Sequence, residues 1–291
     1  MKNKISNSAL DCYLLCGKKY YFQYVEKYKA DLTKTPLLFG VAIDNALNYI
    51  LESIRDKQPW TEDEAITRFR VVMNQWKGQN RLDFFKNEVP EDLIDNFDPE
   101  NMDHQQAVWK NLVQRGSKLI NTYITEVLPL IDEVLHVQYK FNVTNDDEDV
   151  FTGVIDFVAK LKDGRTVLFD NKTASAKYVK KAVVQSQQLS FYLDQFPGIT
   201  LAGYIVLIKN PAKEKGLTHQ VLIDTIPEET IQASYDKLDK AMKDIKAGKF
   251  EPNYKACKAF GKSCEYEMLC SFGDVRGLIK NGKKEESSED T

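Results

Sequence analysis

Several things are scarce in this sequence, and each scarcity narrows the reading. No apolar run approaches the length of a membrane span, and Met1-Lys2-Asn3-Lys4-Ile5-Ser6 lacks a signal-peptide apolar stretch. The expectation is a cytoplasmic location with no membrane partner. Net charge is only −3 over 291 residues, so bulk charge does not advertise nucleic-acid binding. The three histidines, His104, His136 and His219, share no ligand spacing, which argues against a histidine-built metal centre and leaves them as surface or strand residues. No segment repeats, which sets solenoids aside.

What is present is ordinary in bulk and uneven in detail. Hydrophobic residues make up 43% and charged residues 29%, a soluble globular composition able to fill one large domain or two small ones. Acids crowd 91–103 and 145–149, while lysines cluster at 177–181, 209–215 and 237–262. A local basic stripe binds phosphates even on an acidic protein, although solvated helix faces carry the same signature. The five cysteines are grouped: Cys12 and Cys16 near the start, Cys257, Cys264 and Cys270 near the end. In a cytosolic chain such grouping favours metal over disulfides.

Periodicity predicts a helix over 6–28, a second over 37–55 and a third starting at Thr61, where Thr61-Glu62-Asp63-Glu64 is a capping box. A polar loop covers 78–102, and a long helix runs over 103–128 and stops before Pro129. From 133 the texture changes to short β-branched and aromatic stretches at 134–143, 151–162, 165–172, 202–209 and 218–225, read as strands. Helices at 178–196 and 227–248 accompany them, and the tail from 280 is expected to be disordered. Trp60, Trp76 and Trp109 read as core of the helices they sit on. Tyr20, Tyr21 and Tyr24 could stack on single-stranded bases, but packing is the better reading.

The informative stretch is Gly153-Val154-Ile155-Asp156-Phe157, followed by Val167-Leu168-Phe169-Asp170-Asn171-Lys172-Thr173. Two strands joined at Asp163-Gly164 each carry an acid where a core strand prefers an apolar residue. Asp170 and Lys172 share a face by parity. A two-residue turn puts Asp156 on the opposite face, whereas a three-residue loop with Gly164 left-handed sets it directly across from Asp170. Asp-Gly suits either turn, and the chemistry favours the longer loop. Facing carboxylates repel unless a cation lies between them, and hard oxygen donors select Mg²⁺ or Mn²⁺. An adjacent lysine can then orient a metal-bound water and offset phosphate charge, as phosphodiester hydrolysis requires. The bland alternative is a surface hairpin with an Asp–Lys salt bridge. Downstream, Gln188 and Tyr192 are four residues apart and share one helix face.

The order G-x-I-D, hairpin, D-x-K-T, Q-x-x-x-Y resembles the RecB-like branch of the PD-(D/E)XK nucleases, over about 6–55 and 133–270. The resemblance implies catalytic roles for Asp156, Asp170, Lys172, Gln188 and Tyr192. It implies metal ligation by Asp156 and Asp170, helped by Asp44 and the backbone carbonyl of Asn171. Asp44 stands where the family's early helix has the histidine of G-x-x-x-H, here Gly40-Val41-Ala42-Ile43-Asp44. A small residue at Gly40 would let that helix approach the sheet closely. Gln138 stands where a preceding strand often carries glutamate.

Cys16, Cys257, Cys264 and Cys270 look like the iron–sulfur subset of the same family, with a [4Fe-4S] cluster, or structural Zn²⁺ as the alternative. Cys12 then reads as a spare core thiol. The implied fold is α/β, a mixed central sheet flanked by helices around a restriction-endonuclease-like core, with a helical insertion and a cysteine-tied terminal lobe. The expected organisation is N-terminal helices at 1–55, the insertion at 56–132, the nuclease core at 133–250, the cysteine lobe at 251–279 and the tail at 280–291. The expected function is metal-dependent cleavage of DNA, exonucleolytic and acting on single strands or duplex ends, in recombination, repair or phage replication alongside other recombination proteins. The rival is a weak or inactive DNA-end-binding subunit with the same fold.

Overall fold

The computed structural model describes residues 4–79, 81–84, 86–145, 148–210, 214, 216, 218–261 and 263–280. The expected disordered tail lies outside them from 281 onward, as do the side chain of Trp76 and two lysines of the 209–215 cluster. In chain order the strands are β1 (Lys4–Ser6), β2 (Tyr28–Ala30), β3 (Leu32–Lys34), β4 (Arg81–Asp83), β5 (Ile131–Thr144), β6 (Val150–Leu161), β7 (Thr166–Ala174), β8 (Leu201–Ile208), β9 (His219–Thr225) and β10 (Leu278–Lys280). The helices are α1 (Asn7–Leu15), α2 (Gly17–Tyr20), α3 (Thr35–Arg55), α4 (Glu62–Gln79), α5 (Met102–Thr122), α6 (Gln187–Leu193), α7 (Glu228–Lys246) and α8 (Glu267–Phe272). The chain divides into two compact units, one of Met1–Leu32, Asn142–Gly153 and Tyr235–Thr291, the other of Thr33–Phe141 and Val154–Ser234.

The second unit carries the sheet β5-β6-β7-β8-β9. β7 and β8 run parallel, joined by the crossover that contains α6, while β6–β7 and β8–β9 are antiparallel. The sheet is therefore mixed, and the fold is α/β as expected. β8 is apolar along most of its length, as a strand covered on both faces must be, and β7 is apolar over Val167, Leu168 and Phe169 before its polar second half. One core joins Phe157, Phe169, Ile205 and Leu207 of these strands to Leu38, Phe39 and Ile43 of α3, Phe69 of α4 and Trp109, Leu112 and Ile120 of α5. The segment read as a helical insertion thus supplies part of the core of this unit. Helix α3 is long and apolar enough, by length and composition, for a membrane span, against the expectation that no segment is. Its buried residues Leu38, Phe39, Ile43, Leu47 and Ile50 are spent on the core instead.

Local signals explain the helix starts. The Thr61 hydroxyl accepts from the Glu64 N–H at 3.2 Å while the Glu64 carboxylate accepts from the Thr61 N–H at 3.0 Å, the reciprocal capping box. Two predicted helices are shorter than expected. The one over 6–28 breaks at Cys16, whose φ −162 and ψ 112 are extended, and after α2 it widens into a π turn at Tyr21–Val25. The one over 178–196 begins only at Gln187, because Ser186 caps it by accepting from the Leu189 N–H at 3.0 Å.

In the first unit β1 runs parallel to the opening residues of β6, and β2 pairs with β10. Tyr20 stacks on Tyr24 and on Phe250, with centroids 5.0 and 6.1 Å apart, which accounts for the N-terminal aromatic run as packing.

One contact in the second unit leaves no room for adjustment. A Cβ on Gly116 of α5 would lie 2.0 Å from the ring of Phe69, itself enclosed by the core. Gly116→Ala should lower stability by about 1–3 kcal/mol through overpacking, read as a fall in melting temperature. An unchanged melting temperature would show that α4 and α5 are loosely packed.

Candidate active site

The β6–β7 hairpin closes through a three-residue loop. Leu161 N–H donates to Arg165 O at 2.8 Å, Gly164 N–H donates to Leu161 O at 2.9 Å, and Gly164 has φ +88. Only a residue without Cβ takes that conformation freely. The pairing Phe157 with Phe169 and Val158 with Leu168 continues by one step to set Asp156 across from Asp170. The two-residue alternative, which would have sent Asp156 to the other face, is not adopted.

Asp170 is 2% exposed, and a ring of contacts surrounds it. Gln188 donates through Nε2 to Asp170 Oδ1 at 2.9 Å and to Tyr192 Oη at 2.7 Å, and its Oε1 accepts from Lys172 Nζ at 3.1 Å. Lys172 Nζ lies 2.7 Å from Asp170 Oδ2, closing the ring as an ion pair. One glutamine amide thus fixes both the acid and the lysine, since its two ends are a donor and an acceptor. Across the sheet Asp156 Oδ2 accepts from the Asn171 N–H at 2.8 Å.

Charge crowds this corner. Burial, then the charge of Asp170, pushes the Asp44 carboxyl up to about 6, against the pull of Lys172. Burial, then Asp170 and Asp44, holds the Asp156 carboxyl well above the usual range. Burial raises Asp170 too, with Lys172 opposing. For Lys172, burial favours the neutral amine, but Asp170 and Asp156 outweigh it and keep the ammonium charged. In this arrangement Lys172 is a cation paired with an acid.

Among the described residues no group of three or more His, Cys, Asp or Glu side chains is arranged to hold a metal ion. The donor chemistry still suits a hard divalent cation. Asp156 and Asp170 are opposed carboxylates, and buried Asp170 Oδ2 has the Lys172 ammonium beside it without a hydrogen bond of good angle. A cation there would offset the burial that raises all three carboxyl groups and the neighbouring acid charge that adds to it at Asp44 and Asp156. Asp44 joins through its charge from half-buried α3. Gly40 is not demanded by a tight approach: a Cβ there would sit 3.6 Å from Thr173 Oγ1, an ordinary contact. Gln138, at φ +50, donates to Asn48 Oδ1 at 3.2 Å, one turn of α3 beyond Asp44.

Two further residues frame the site and were not singled out from sequence. Tyr204 of β8 stands beside Asp170 in register, with its hydroxyl 2.6 Å from Ser186 Oγ and its ring 5.9 Å from Lys172 Nζ. A tyrosine inside the apolar run of β8 was the available signal. Ser186 carried a cap signal only.

The cysteines meet in the first unit. Cys16, Cys257, Cys264 and Cys270 line one cavity together with Lys18, Lys19 and Tyr266. The extended backbone at Cys16 ends α1 there, and the Asn253 N–H donates to its sulfur at 3.3 Å. Cys264 N–H donates to Cys257 O at 2.7 Å. All five cysteines are free thiols. Cys12 does not line the cavity. It is buried, its thiol pushed up to about 12 mainly by burial, and it reaches Gln23 Oε1 at 3.9 Å. The histidines stay apart from both sites: His104 accepts from the Asp98 N–H, His136 contacts Tyr139 and Phe196, and His219 pairs with Thr218.

The chain matches the family model of the PD-(D/E)XK nuclease superfamily over residues 4–271. A solved structure of a candidate exonuclease from Eubacterium rectale is 11% identical with a TM-score of 0.47, covering 88% of this chain and 85% of its own. The structure of SSO0001 is also 11% identical, with a TM-score of 0.33 and coverage of 91% and 94%. No curated protein matches.

The raised carboxyl of Asp44 predicts a pH signature. Between the ordinary carboxylate value, about 4, and its folded value of about 6, the native state holds a proton that the unfolded chain has released. Stability of the metal-free protein should therefore rise as pH falls through this window and decline as pH rises through it. Asp44→Asn should flatten that slope and raise the melting temperature at neutral pH. A melting-temperature profile identical to wild type would mean that neither burial nor Asp170 raises the Asp44 carboxyl.

Proposed function

The chain belongs to the PD-(D/E)XK nuclease superfamily, and on that premise we propose that it hydrolyses phosphodiester bonds of DNA from strand ends, using a divalent cation held by Asp156 and Asp170. Membership implies a nucleic-acid substrate and a divalent metal. DNA, the exonucleolytic mode and a setting in recombination, repair or phage replication are the finer reading. The observation that carries it is the closed Asp170–Lys172–Gln188 ring, braced by Tyr192, opposite Asp156. Such a ring holds an acid and an ammonium at fixed separation in a half-buried corner, as electrostatic preorganisation requires.

When bound, Mg²⁺ or Mn²⁺ would supply Lewis-acid polarisation and an acidified water. Asp156 and Asp170 would hold it, with Asp44 adding negative charge from α3 and the Asn171 carbonyl within the same stretch of β7. Lys172 presents its ammonium to the phosphate and orients the attacking water, and Gln188 keeps that ammonium from swinging away. Tyr192 receives the spare donor of Gln188 and so fixes the glutamine's rotamer. Because Cys16, Cys257, Cys264 and Cys270 line one cavity, we read a [4Fe-4S] cluster as the tie of the first unit, with Zn²⁺ as the alternative, although no three of these thiols are arranged to hold an ion here. The second reading, DNA-end binding without cleavage, draws on the lack of a three-acid group among the described residues. The intact Asp156, Asp170 and Lys172 favour cleavage.

End-labelled single- and double-stranded DNA, incubated with Mg²⁺, Mn²⁺ or EDTA, tests the reading. Wild type should cleave only with metal, and Asp170→Ala or Lys172→Ala should cost on the order of a hundred- to a thousandfold while DNA binding survives. Binding with no metal-dependent cleavage would select the second reading.

Anaerobically purified protein should be brown and contain iron and sulfide. Cys16→Ser or Cys264→Ser should bleach it, whereas Cys12→Ser should not. Colourless protein with stoichiometric zinc would replace the cluster by a zinc tie.

A further inference from the structure

Strand β5 contains a residue whose backbone resists its side chain. Gln138 has φ +50, a left-handed value that costs an L-residue free energy and that glycine, asparagine and aspartate adopt more readily. Its consequence lies in the faces of the strand. Side chains of a regular strand alternate, so residues three apart point to opposite faces. Here Val137 packs in the core with α3 and Gln138 donates to Asn48 of α3, so two consecutive residues turn to one face. The flanking His136 and Tyr139 therefore both turn away from α3, with ring centroids 5.7 Å apart. An extra residue in a strand re-aims its neighbours in this way, and such irregularities gather beside functional sites. Phe196, three residues past the end of α6, joins the pair at 5.1 Å from His136 and 4.9 Å from Tyr139.

The cluster is open to solvent: Tyr139 is 39% exposed, His136 is exposed and Phe196 is half-buried. The three rings stand at 53 to 74° to one another, so their faces are not spent on mutual stacking. The cluster also continues from the acid site. Tyr192, which braces Gln188, stands four residues before Phe196. Phe141, about 7 Å along β5 from Tyr139, packs edge-on against Tyr192 with centroids 5.9 Å apart. Exposed Lys140 makes no ion pair among the described residues. Flat rings beside a free ammonium suit a flat apolar group that carries a phosphate, and a nucleobase on its strand is such a group. Bases inside a duplex are already stacked on each other, so only an unpaired base can use these rings. The acids nearest in sequence, Glu133 and Asp194, limit attraction by charge, which leaves stacking to carry the contact.

We propose that His136, Tyr139 and Phe196 form a stacking site for an unpaired base of the strand that the acid site cleaves, with Lys140 meeting the adjoining phosphate. The proposal rests on the nuclease reading and deepens it, because it makes a single-stranded end the substrate.

The experiment titrates full-length wild type, Tyr139→Ala and Tyr139→Phe in EDTA against single-stranded oligothymidylate carrying 2-aminopurine near one end, and against a blunt duplex. Tyr139 is exposed, and matching melting temperatures would show that its variants fold. Tyr139→Ala should bind the single strand roughly five- to a hundredfold more weakly and lose the 2-aminopurine quenching, while Tyr139→Phe keeps both. The dependence of affinity on salt should stay the same, because a neutral ring displaces no counterions. Overlaying single-strand titrations, or wild type that binds the duplex alone, would overturn the proposal and leave the nuclease reading standing. A wild-type dimer that Tyr139→Ala breaks, with single-strand affinity unchanged, would make the face an interface between copies and likewise overturn it. Wild type that binds neither nucleic acid, and cleaves neither with Mg²⁺ or Mn²⁺, would remove the nuclease reading and the proposal together.

Discussion

Like charges held close together in a half-dry corner are the constraint on which the second unit depends. Asp170 is buried, Asp156 faces it across one step of the ladder, and Asp44 adds its charge from α3. Each carboxyl is harder to ionise because of burial, and neighbouring acids add to this at Asp156 and Asp44. Lys172 is the compensating charge. Its own burial would favour the neutral amine, yet the acids win because a nearby opposite charge in poor solvent outweighs the desolvation of one ammonium. Gln188 makes that compensation stiff, bonding the acid with one end of its amide and the lysine with the other. Apolar β8, the apolar first half of β7 and the core they join hold these groups at fixed distance.

Asp44 and Gln138, where the resemblance implied a histidine and a glutamate, lie on α3 and against it. The Asp44 carboxyl is raised by burial and then by Asp170, and Gln138 is engaged by Asn48 of α3. Metal preference should follow the donor set, since carboxylate oxygen is harder than imidazole nitrogen.

The first unit is organised differently. Its apolar content is modest, and its helices α2 and α8 are short. What brings its distant segments together is an aromatic stack of Tyr20, Tyr24 and Phe250, the β2–β10 ribbon, and the cavity onto which four thiols open. Gly17 belongs to the same joint, since a Cβ there would lie 2.9 Å from the Glu251 backbone nitrogen.

Much of this was legible from residues alone, where the physics is local. Strand parity put Asp170 and Lys172 on one face, helical spacing put Gln188 and Tyr192 on another, and the capping box marked the start of α4. The order of those motifs pointed to the superfamily whose model the chain matches, and the four cysteines grouped in sequence line one cavity. Turn length could not be settled by sequence, because Asp163-Gly164 accommodates either loop, and the choice lies in how β6 packs along its whole length. The same holds for the break at Cys16, since a helix over 6–28 satisfies periodicity but not the packing of Gly17 against Glu251. Tyr204 stands beside Asp170 from a strand far away in the chain, and no spacing rule connects it to Asp156 or Asp170. Backbone hydrogen bonding and side-chain period act over a few residues and so are written in the sequence directly. Juxtaposition of distant segments is decided by which faces bury one another, and only the folded core determines that.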